Sequence, residues 1–247
     1  MRNPKSILIT GASSGIGKAL AETYALPGNY LFLTGRNKER LDEVAANCRN
    51  SGAKVETAVI EIEDANTLRM WISACDKVQA LDLVIANAGI SNARGESSEL
   101  QDRKIFSTNL NGALNTIYPA ISIMQSRKHG QIAIISSLSA MHGFPFAGAY
   151  CASKAAVKVF GEALRVRLKK DHVEVCVVCP GFIATPLTED CKYYMPFIMN
   201  AQKAAKIIKH GLAKNKGLLA FPRRLYSLLW LLRLFPAKWV EQISCRL

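Results

Sequence analysis

Long hydrophobic runs and export signals are scarce in this sequence. The most apolar segment, Leu225–Phe235, has nine apolar residues in eleven and is interrupted by Arg233. A membrane-spanning helix needs about 20 such residues, so we predict no span here. The N-terminus reaches the apolar stretch Ile7–Ile9 within a few residues, which is too short for a signal-peptide core, and it has no small-residue cleavage site. These absences predict a cytoplasmic protein.

The chain also lacks the cysteine and histidine patterns of disulfide-rich or metal-binding proteins. Its seven cysteines are irregularly spaced, which does not indicate a disulfide framework in a chain of 247 residues. Cys176 and Cys179 form a pair in an apolar, strand-like run, with no second pair and no histidine at ligand spacing. We interpret them as buried strand thiols. None of the four histidines has a ligand-spaced partner, so no metal site is predicted.

Acidic residues are few, 19 against 32 Lys and Arg, which gives a formal net charge of +13. The imbalance is concentrated near the C-terminus, where residues 203–247 contain ten Lys or Arg and one acid, Glu241. Such a balance favours a polyanionic partner: nucleic acid, an anionic membrane surface or a phosphorylated ligand. Few aromatic residues interleave with the basic ones outside Leu225–Phe235, which argues against nucleic acid.

Short apolar runs alternate with segments of helical periodicity along nearly the whole chain. The predicted strands are Ser6–Thr10, Tyr30–Thr34, Lys54–Ile60, Leu81–Ala86, Gln131–Ser136, Val173–Cys179 and Gly217–Phe221. Helical patterns include Gly15–Leu26, Arg103–Met124, Ala147–Lys169 and Ala201–Lys214. This alternation predicts a doubly wound parallel sheet of the Rossmann-like α/β class. Since no repeat or Pro/Ser-rich linker divides it, we predict one catalytic domain over residues 1–221 and a basic, apolar extension over residues 222–247.

A glycine-rich loop follows the first predicted strand and opens the first predicted helix. Gly11, Gly15 and Gly17 have a spacing that suits a tight turn between a strand and a helix. Such a turn lets backbone N–H groups approach a pyrophosphate at the helix N-terminus. The alternative is an ordinary glycine turn with no ligand.

The end of the second predicted strand bears on the choice of dinucleotide. A fold selective for NAD usually places an acid there, whereas this chain has Thr34 and Gly35 followed by Arg36. A carboxylate would repel the 2′-phosphate of NADP, while a guanidinium pairs with it in bidentate fashion. We therefore predict NADP(H) rather than NAD(H). The alternative is that Arg36 is only a solvated residue.

Polar residues suited to catalysis follow the later predicted strands. Tyr150 and Lys154 stand four residues apart near the start of a helix, which puts the phenol and the ammonium on one face. Ser137 lies thirteen residues before Tyr150, at the end of the fifth strand. The segments Asn87–Gly89 and Pro180–Thr185 follow the fourth and sixth strands, where ligands bind in an open α/β sheet.

These motifs, in this order, resemble those of the short-chain dehydrogenase/reductase family over roughly Lys5–Phe221. The resemblance implies that Tyr150 is the general acid in carbonyl reduction, or the base in alcohol oxidation. It implies that Lys154 lowers the pKa of that phenol and holds the nicotinamide ribose. Ser137 would hydrogen-bond the carbonyl oxygen, and Asn109 would support a water-linked proton path from the lysine to solvent.

The same resemblance implies where the cofactor binds. The phosphates would contact Gly11, Ser13, Ser14, Gly15, Ile16 and Gly17. The side of the cofactor near the adenine ribose would be lined by Asn87, Ala88 and Gly89, and the nicotinamide carboxamide by Pro180, Gly181, Ile183 and Thr185. Tyr150 and Lys154 would also contact the cofactor.

Several of these roles have rivals nearby in the sequence. Ser136 and Ser139 compete for the role of the serine, and Asn111 competes for that of the asparagine. His142 lies between the serine and the tyrosine; a surface loop is favoured over a substrate-facing position. The family often has a second asparagine where this chain has Ala86, but the asparagine that follows remains.

The extension leaves two interpretations open. A helix over Arg224–Phe235 would either pack on this domain or a second subunit, or lie in a membrane interface with its basic neighbours at anionic headgroups. We favour the interface, because Trp230 and the arginines suit it. The family uses the segment Asp190–Met199 as a mobile lid, and here it is apolar and aromatic. That suits a hydrophobic ketone; a loop buried against the domain is the equal alternative.

The leading hypothesis is an NADPH-dependent carbonyl reductase or alcohol dehydrogenase with an apolar or lipid-linked substrate. We expect a dimer or tetramer, peripheral at the inner face of the membrane. The alternative is a catalytically idle NADP(H)-binding protein on the same fold. The complete set of Ser137, Tyr150, Lys154 and Asn109 argues against that alternative, because an idle protein has no physical need for all four.

Overall fold

The computed structural model describes residues 3–91, 98–189, 191, 194–232 and 234–236. Seven parallel strands form one sheet in the order β3-β2-β1-β4-β5-β6-β9. Their bounds are β1 Ser6–Thr10, β2 Tyr30–Gly35, β3 Lys54–Val59, β4 Leu83–Ala86, β5 Gly130–Ile135, β6 Val173–Pro180 and β9 Leu218–Phe221. Two short strands, β7 Ile183–Ala184 and β8 Met199–Asn200, pair separately. The predicted parallel α/β sheet is confirmed.

Helices cover both faces of the sheet. Their bounds are α1 Gly15–Tyr24, α2 Lys38–Asn50, α3 Ala65–Val78, α4 Glu99–Phe106, α5 Gly112–Ser126, α6 Gly148–Arg167, α7 Ala201–Ala213 and α8 Arg223–Leu232. Helices α1, α2 and α7 contribute to the core on one face, and α3, α5 and α6 contribute to the core on the other. Strands β1, β4 and β5 are buried along their whole length, which explains why they are nearly continuous apolar runs.

The sheet order reverses between β1 and β4, and this topology positions the site. Ile7 to Ile9 of β1 pair with Leu31 to Leu33 of β2 on one side and with Leu83 to Ile85 of β4 on the other. Because the connections from these two strands run in opposite directions, a crevice opens beyond their carboxyl ends. The strand bounds predicted from the sequence agree with the structure to within one or two residues.

One predicted helix differs from the structure. The segment predicted as a single helix over Arg103–Met124 is α4, then a π-helical turn over Ser107–Asn111, then α5. A π turn inserts an extra residue and changes which side chains face inward. Here Thr108 and Asn109 are buried while Asn111 is exposed. The turn therefore selects Asn109 over its rival as the inward-facing asparagine.

The extension packs on its own domain through one side of α8. Leu225 and Leu229 are buried in a small core with Leu138, Met141 and Cys179. The neighbouring Leu228, Trp230 and Leu231 are 53%, 50% and 47% exposed. Packing on the domain, the less favoured interpretation, therefore describes the inner side of this helix. Within the described part of the chain, no helix has the length and apolarity required to cross a membrane.

The paired cysteines of β6 are ordinary core residues. Cys176 and Cys179 are both fully buried, and neither forms a disulfide. Burial raises the pKa of Cys176 to about 12 and that of Cys179 to about 11, so both are neutral thiols at physiological pH. The interpretation as buried strand thiols is confirmed. Among the described residues, no group of three His, Cys, Asp or Glu side chains is placed to hold a metal ion.

Candidate active site

A cleft of about 840 Å³ lies at the carboxyl ends of the strands, across the β1–β4 reversal. We call its two parts the dinucleotide half, lined by the glycine loop and the ends of β1 to β4, and the substrate half, lined by α8 and the segments after β5 and β6. Most of the predicted site residues line it, namely Gly11, Ser13, Ser14, Gly15, Ile16, Arg36, Asn87, Ala88, Gly89, Ser137, Tyr150, Lys154, Pro180, Gly181, Ile183 and Thr185.

The glycine loop forms the floor of the dinucleotide half. Gly11 and Gly15 have positive φ angles of 65° and 56°, a region that L side chains rarely adopt. Ser14 precedes α1 with extended backbone, and its side chain makes no capping hydrogen bond. The first N–H groups of α1 have no partner within the helix, so they are available to an anion. The loop therefore fits a pyrophosphate.

Gly17 acts through packing rather than by lining the cleft. A Cβ atom at this position would lie 2.1 Å from the Gly11 carbonyl oxygen and 2.6 Å from Nδ2 of Asn87. Only a residue without a side chain lets α1 start so close to the end of β1. This position is the glycine that fixes helix-to-strand packing in a dinucleotide fold.

Thr10 joins the two strands that flank the crevice, a role that the sequence did not reveal. Its hydroxyl accepts hydrogen bonds from the backbone N–H groups of Asn87 at 3.1 Å and Ala88 at 3.3 Å. In return, Nδ2 of Asn87 donates to the carbonyl oxygens of Thr10 at 2.9 Å and Gly11 at 3.2 Å. These bonds hold the segment after β4 against the glycine loop.

Two arginines stand where the dinucleotide half meets solvent. Arg36 follows β2, and Arg40 lies on the first turn of α2; both are exposed and both line the cleft. Asn37 caps α2 by accepting a hydrogen bond from the Arg40 N–H at 2.8 Å. Glu61, after β3, is the acid that lines the same end. Arg40 was not predicted, although its place one helical turn after Arg36 is a signal that the sequence offered.

Ser137 and Tyr150 meet where the two halves join. Ser137 follows β5, and Tyr150 is the third residue of α6, where the two side chains hydrogen-bond. Ser136 instead donates to the Lys154 carbonyl oxygen at 2.7 Å and is fully engaged in the core. Ser139 lines the cleft and donates to Oγ of Ser137 at 2.8 Å. The structure thus selects Ser137 as the serine that contacts the tyrosine.

The pKa values of Tyr150 and Lys154 are governed by burial. Burial raises the pKa of Tyr150 to about 12, while the hydrogen bond with Ser137 acts in the lowering direction. Burial lowers the pKa of Lys154 to about 8. The expected lowering of the tyrosine pKa by Lys154 is not what the structure shows. The Nζ atom donates to the Ile135 carbonyl at 3.0 Å and lies 5.8 Å from the centroid of the tyrosine ring.

Asn109 lies behind the cleft and holds the segment after β4. Its Oδ1 accepts from the Ile90 N–H at 2.8 Å, and its Nδ2 donates to the Ile90 carbonyl at 2.9 Å and to Oγ of Ser153 at 3.0 Å. A Cβ atom on Gly89 would lie 3.1 Å from Oδ1 of Asn109 and 3.2 Å from Nζ of Lys154. The side chain of Asn109 is therefore a support for the wall beside Lys154.

The segment after β6 closes the cleft beside the glycine loop. The Gly181 N–H donates to the Phe221 carbonyl at 2.7 Å, and a Cβ atom at this glycine would lie 3.0 Å from Cδ of Pro222. The Thr185 N–H bonds to Oγ1 of Thr188 at 3.1 Å. A Cβ atom on Gly15 would be 3.2 Å from Cγ2 of Thr185, so this segment and the glycine loop touch.

Apolar side chains from distant parts of the chain line the substrate half. They are Leu138, Phe144, Phe182, Pro186, Leu187, Tyr194, Pro196, Leu225, Leu228, Leu229 and Leu232. His142 also lines the cleft, in contact with the ring of Phe144, so the substrate-facing position is the one observed rather than the favoured surface loop. Of the predicted lid, Tyr194 and Pro196 line the cleft, while Asp190, Lys192 and Tyr193 lie outside the described residues.

A glycine loop that fits a pyrophosphate and a tyrosine beside a serine line one cleft at the reversal of an open parallel sheet, the arrangement expected of a dinucleotide-dependent oxidoreductase. Residues 5–193 match the family model described as short chain dehydrogenase. The chain is 34% identical over 225 residues to an uncharacterized oxidoreductase of Myxococcus xanthus (strain DK1622), covering 90% of this chain and 88% of that protein. It is also 34% identical over 249 residues to the 11-beta-hydroxysteroid dehydrogenase-like 4A protein of Arabidopsis thaliana, covering 95% and 82%. The chain therefore belongs to the short-chain dehydrogenase/reductase family, whose members bind a nicotinamide cofactor.

Solved structures share the fold but differ in cofactor. A short-chain dehydrogenase from Sphingobium yanoikuyae in complex with NADPH aligns with a TM-score of 0.81 at 24% identity, over 88% of this chain and 87% of that one. One from Mycobacterium paratuberculosis bound to NAD aligns with a TM-score of 0.77 at 22% identity, over 87% and 95%. At these identities the likeness shows the fold, and the choice of cofactor rests on residues of this chain.

Proposed function

We propose that this protein is an NADPH-dependent carbonyl reductase whose substrate is apolar, long-chain or lipid-linked. One observation carries the proposal: a single cleft joins a dinucleotide half flanked by arginines to an apolar substrate half, with Ser137 and Tyr150 at the junction. The same residues would serve the reverse reaction, alcohol oxidation, if it is the direction used in the cell.

The preference for NADP(H) is supported by the charges after β2. Arg36 and Arg40 line the cleft there, and the strand ends with Thr34 and Gly35 rather than with an acid. Guanidinium groups pair with phosphate in bidentate fashion, which favours a ribose that carries a 2′-phosphate. Lys38, between the two arginines, is instead paired with Asp42 on the next turn of α2.

The junction residues suit the reduction of a ketone. A nicotinamide cofactor, when bound, would supply hydride chemistry at the carbonyl carbon, and the carbonyl oxygen would then need a proton from this chain to become a hydroxyl. Tyr150 is a neutral phenol at physiological pH, because burial raises its pKa to about 12, and it can donate that proton. Ser137 is placed to donate a hydrogen bond to the same oxygen.

Lys154 lies beside the proton donor and is proposed to bind the cofactor. With a pKa of about 8, it is mostly charged at neutral pH, so its ammonium can donate hydrogen bonds to the nicotinamide ribose. Asn109 holds Ile90 and the wall beside Lys154 through hydrogen bonds of 2.8 and 2.9 Å. We assign Asn109 the role of keeping open the route by which the lysine regains a proton from solvent.

NADPH oxidation by the pure protein tests the proposed function. The protein is offered a panel of water-soluble ketones in one assay and apolar or lipid-extract carbonyls in another, with Tyr150→Phe as the blank. We expect turnover with apolar carbonyls and a fall of roughly 10²- to 10⁴-fold in the variant, with NADPH binding retained. Tyr118→Phe, on the exposed part of α5, is the matched control and should stay active.

The outcomes of that assay separate the two function classes. Turnover that persists in Tyr150→Phe would refute the role assigned to the phenol. Tight NADPH binding without turnover of any carbonyl, or of any alcohol with NADP⁺, would favour the catalytically idle binding protein. Turnover of small polar ketones alone would remove the apolar substrate from the proposal and leave the reductase.

We also include peripheral association with an anionic membrane in the proposed function. The inner side of α8 lines the substrate half through Leu225 and Leu229, while Trp230 and Leu231 are half-exposed and do not line it. Arg223 and Arg224 are exposed at the start of the helix. Apolar side chains beside basic ones are the pattern of interfacial helices, and the cleft mouth would then face the lipid.

Vesicle sedimentation tests this association without removing the helix. We expect binding to vesicles of phosphatidylcholine with phosphatidylglycerol, and weaker binding when the anionic lipid is left out. Trp230→Gln combined with Leu231→Gln should release the protein, whereas Val159→Gln with Val166→Gln, two exposed apolar residues of α6, should not. Unchanged vesicle binding in the α8 variant would refute the membrane role. A change in subunit number by light scattering would assign the helix to a second copy.

A further inference from the structure

We propose that Ser139 is a positioning residue for the reaction: it fills the acceptor positions of Ser137 and so keeps the single hydroxyl proton of Ser137 in a donor direction, toward the phenol of Tyr150 in the free protein and toward the substrate oxygen once substrate is bound. The inference rests on the proposed carbonyl reduction and adds a residue to its machinery. Ser139 makes two hydrogen bonds to one atom of Ser137, and this juxtaposition lies at the wall of the cleft.

The contact between Ser137 and Ser139 lies in the turn that follows β5. Ser137 has extended backbone and caps a short 3₁₀ turn over Leu138–Met141, where its Oγ accepts a hydrogen bond from the Ser139 N–H at 3.2 Å. The Oγ atom of Ser139 lies 2.8 Å from the same oxygen and donates to it. A hydroxyl oxygen has two acceptor positions and one proton. Ser139 therefore fills both acceptor positions of Ser137.

The hydroxyl proton is the one hydrogen-bonding group of Ser137 that Ser139 leaves unused. With both acceptor positions filled, the hydroxyl can act only as a donor, and its neighbour in the cleft is the phenol of Tyr150. The hydrogen bond between them acts to lower the pKa of Tyr150, which is the effect of a donor on the phenolate form. The three side chains thus form a directed chain, from Ser139 to Ser137 to Tyr150, in which each donor polarises the next.

This direction matters for catalysis. During carbonyl reduction, negative charge grows on the substrate oxygen, so that oxygen needs a neighbouring hydroxyl that is already held as a donor and can turn its proton from the phenol to the substrate. A Ser137 hydroxyl free to rotate would spend part of its time as an acceptor. Ser136 does not fill this role, because its own hydroxyl is committed to the Lys154 carbonyl at 2.7 Å.

Ser139→Ala tests the proposal, because the variant loses the hydroxyl but keeps the backbone N–H that bonds to Ser137. On a ketone that the wild type reduces, we expect kcat to fall about 3- to 10-fold, the size of one neutral hydrogen bond, with KM and NADPH affinity little changed. The unfolding temperature should stay the same. Ser139→Thr keeps a hydroxyl and should restore most of the rate, and Ser126→Ala, on the exposed end of α5, should equal the wild type.

A double-mutant cycle separates positioning from direct contact with substrate. If Ser139 acts through Ser137, the combined Ser137→Ala and Ser139→Ala variant should be no slower than Ser137→Ala alone. The pH profile gives a second readout: Ser139→Ala should move the limb assigned to Tyr150 to higher pH, because the donor chain that lowers its pKa is weakened.

Three results would overturn the inference. A Ser139→Ala enzyme as fast as the wild type would remove the role altogether. Multiplicative losses in the cycle would make Ser139 an independent contact of the substrate. An unchanged pH profile with a lower unfolding temperature would make it structural. A wild type that reduces no carbonyl is a different failure, that of the proposed function, and the inference falls with it.

Discussion

The two halves of the cleft differ in their lining, which is mainly backbone in one and mainly apolar side chains in the other. The dinucleotide half consists largely of backbone: two glycines with positive φ, a helix N-terminus, and strand ends tied together by Thr10. The substrate half consists of apolar side chains brought together from segments after β5 and β6 and from α8. Backbone geometry tolerates little substitution, whereas a wall of apolar side chains can be resized one residue at a time. The comparison implies a constant cofactor site and an adjustable substrate site.

Gly17→Ala should give the largest effect, because it attacks the backbone half directly. The added methyl would lie 2.1 Å from the Gly11 carbonyl oxygen, closer than any Cβ contact allows. We expect NADPH binding, measured by the change in cofactor fluorescence, to be lost. We also expect the unfolding temperature to fall. Gly148→Ala is the matched control, since a Cβ atom there meets nothing within 4 Å. Normal NADPH binding in Gly17→Ala would show that the backbone of the dinucleotide half tolerates substitution.

Arg36 and Arg40 differ from the rest of the dinucleotide half, because they contribute side chains rather than backbone. Removing both to alanine should weaken NADPH binding about 10- to 100-fold, the size of charge-assisted hydrogen bonds, and leave NADH binding nearly unchanged. Competition titrations with the two cofactors measure this. Lys38→Ala removes one positive charge between them and should change little, because that lysine is paired with Asp42. Equal losses for both cofactors would contradict the 2′-phosphate assignment.

Leu228→Ser should resize the substrate half and leave the dinucleotide half intact. This residue lines the cleft but is 53% exposed, so the substitution removes only part of the hydrophobic free energy that a fully buried leucine contributes. We expect kcat/KM for long apolar ketones to fall about 3- to 10-fold, with small ketones and NADPH binding unaffected. Leu231→Ser, on the same helix but away from the cleft, is the control for kinetics in lipid-free buffer. Equal loss for short and long ketones would argue against an adjustable wall.

Lys154→Met addresses the junction, and its effect on stability depends on pH. Burial lowers the folded-state pKa of Lys154 to about 8, below the usual value of 10.5, so its charge destabilises the folded protein fully below pH 8. That penalty fades between pH 8 and 10.5, where the unfolded chain still binds the proton. The inactive variant should therefore unfold at a higher temperature than the wild type at pH 7, and the two should converge above pH 8. A variant less stable at pH 7 would show that the hydrogen bond to Ile135 outweighs the burial of charge.

The halves also differ in how far the sequence predicts them. The glycine loop, Asn87 and Arg36 follow strand ends, so local spacing and the topology of a parallel sheet suffice to place them together. The thirteen-residue offset between Ser137 and Tyr150 selects the correct serine for the same reason, because Ser137 follows a well-defined strand and Tyr150 lies at the start of a helix. Asn109 was separated from Asn111 only by the π turn, which no periodicity in the sequence indicates.

The substrate half depends on contacts between residues far apart in the chain. Leu225 and Leu229 of α8 pack inward against Leu138 instead of facing a membrane. This orientation depends on packing between distant residues, which no local sequence pattern contains. The same holds for His142, whose position depends on its contact with Phe144. Ser139 was recognised only as a rival of Ser137, because its proposed role depends on which of the two hydroxyls donates, and the sequence does not show this.

The small core that joins α8 to the serine turn has a consequence for the order of events in synthesis. Leu138 stands next to Ser137 and packs against Leu225 and Leu229, which leave the ribosome long after the serine, the tyrosine and the glycine loop. A nascent chain therefore has its cofactor loop well before the turn that carries its serine is pinned. We expect such a chain to bind dinucleotide before its serine turn is fixed, so that the last helix to be synthesised completes the substrate half of the cleft.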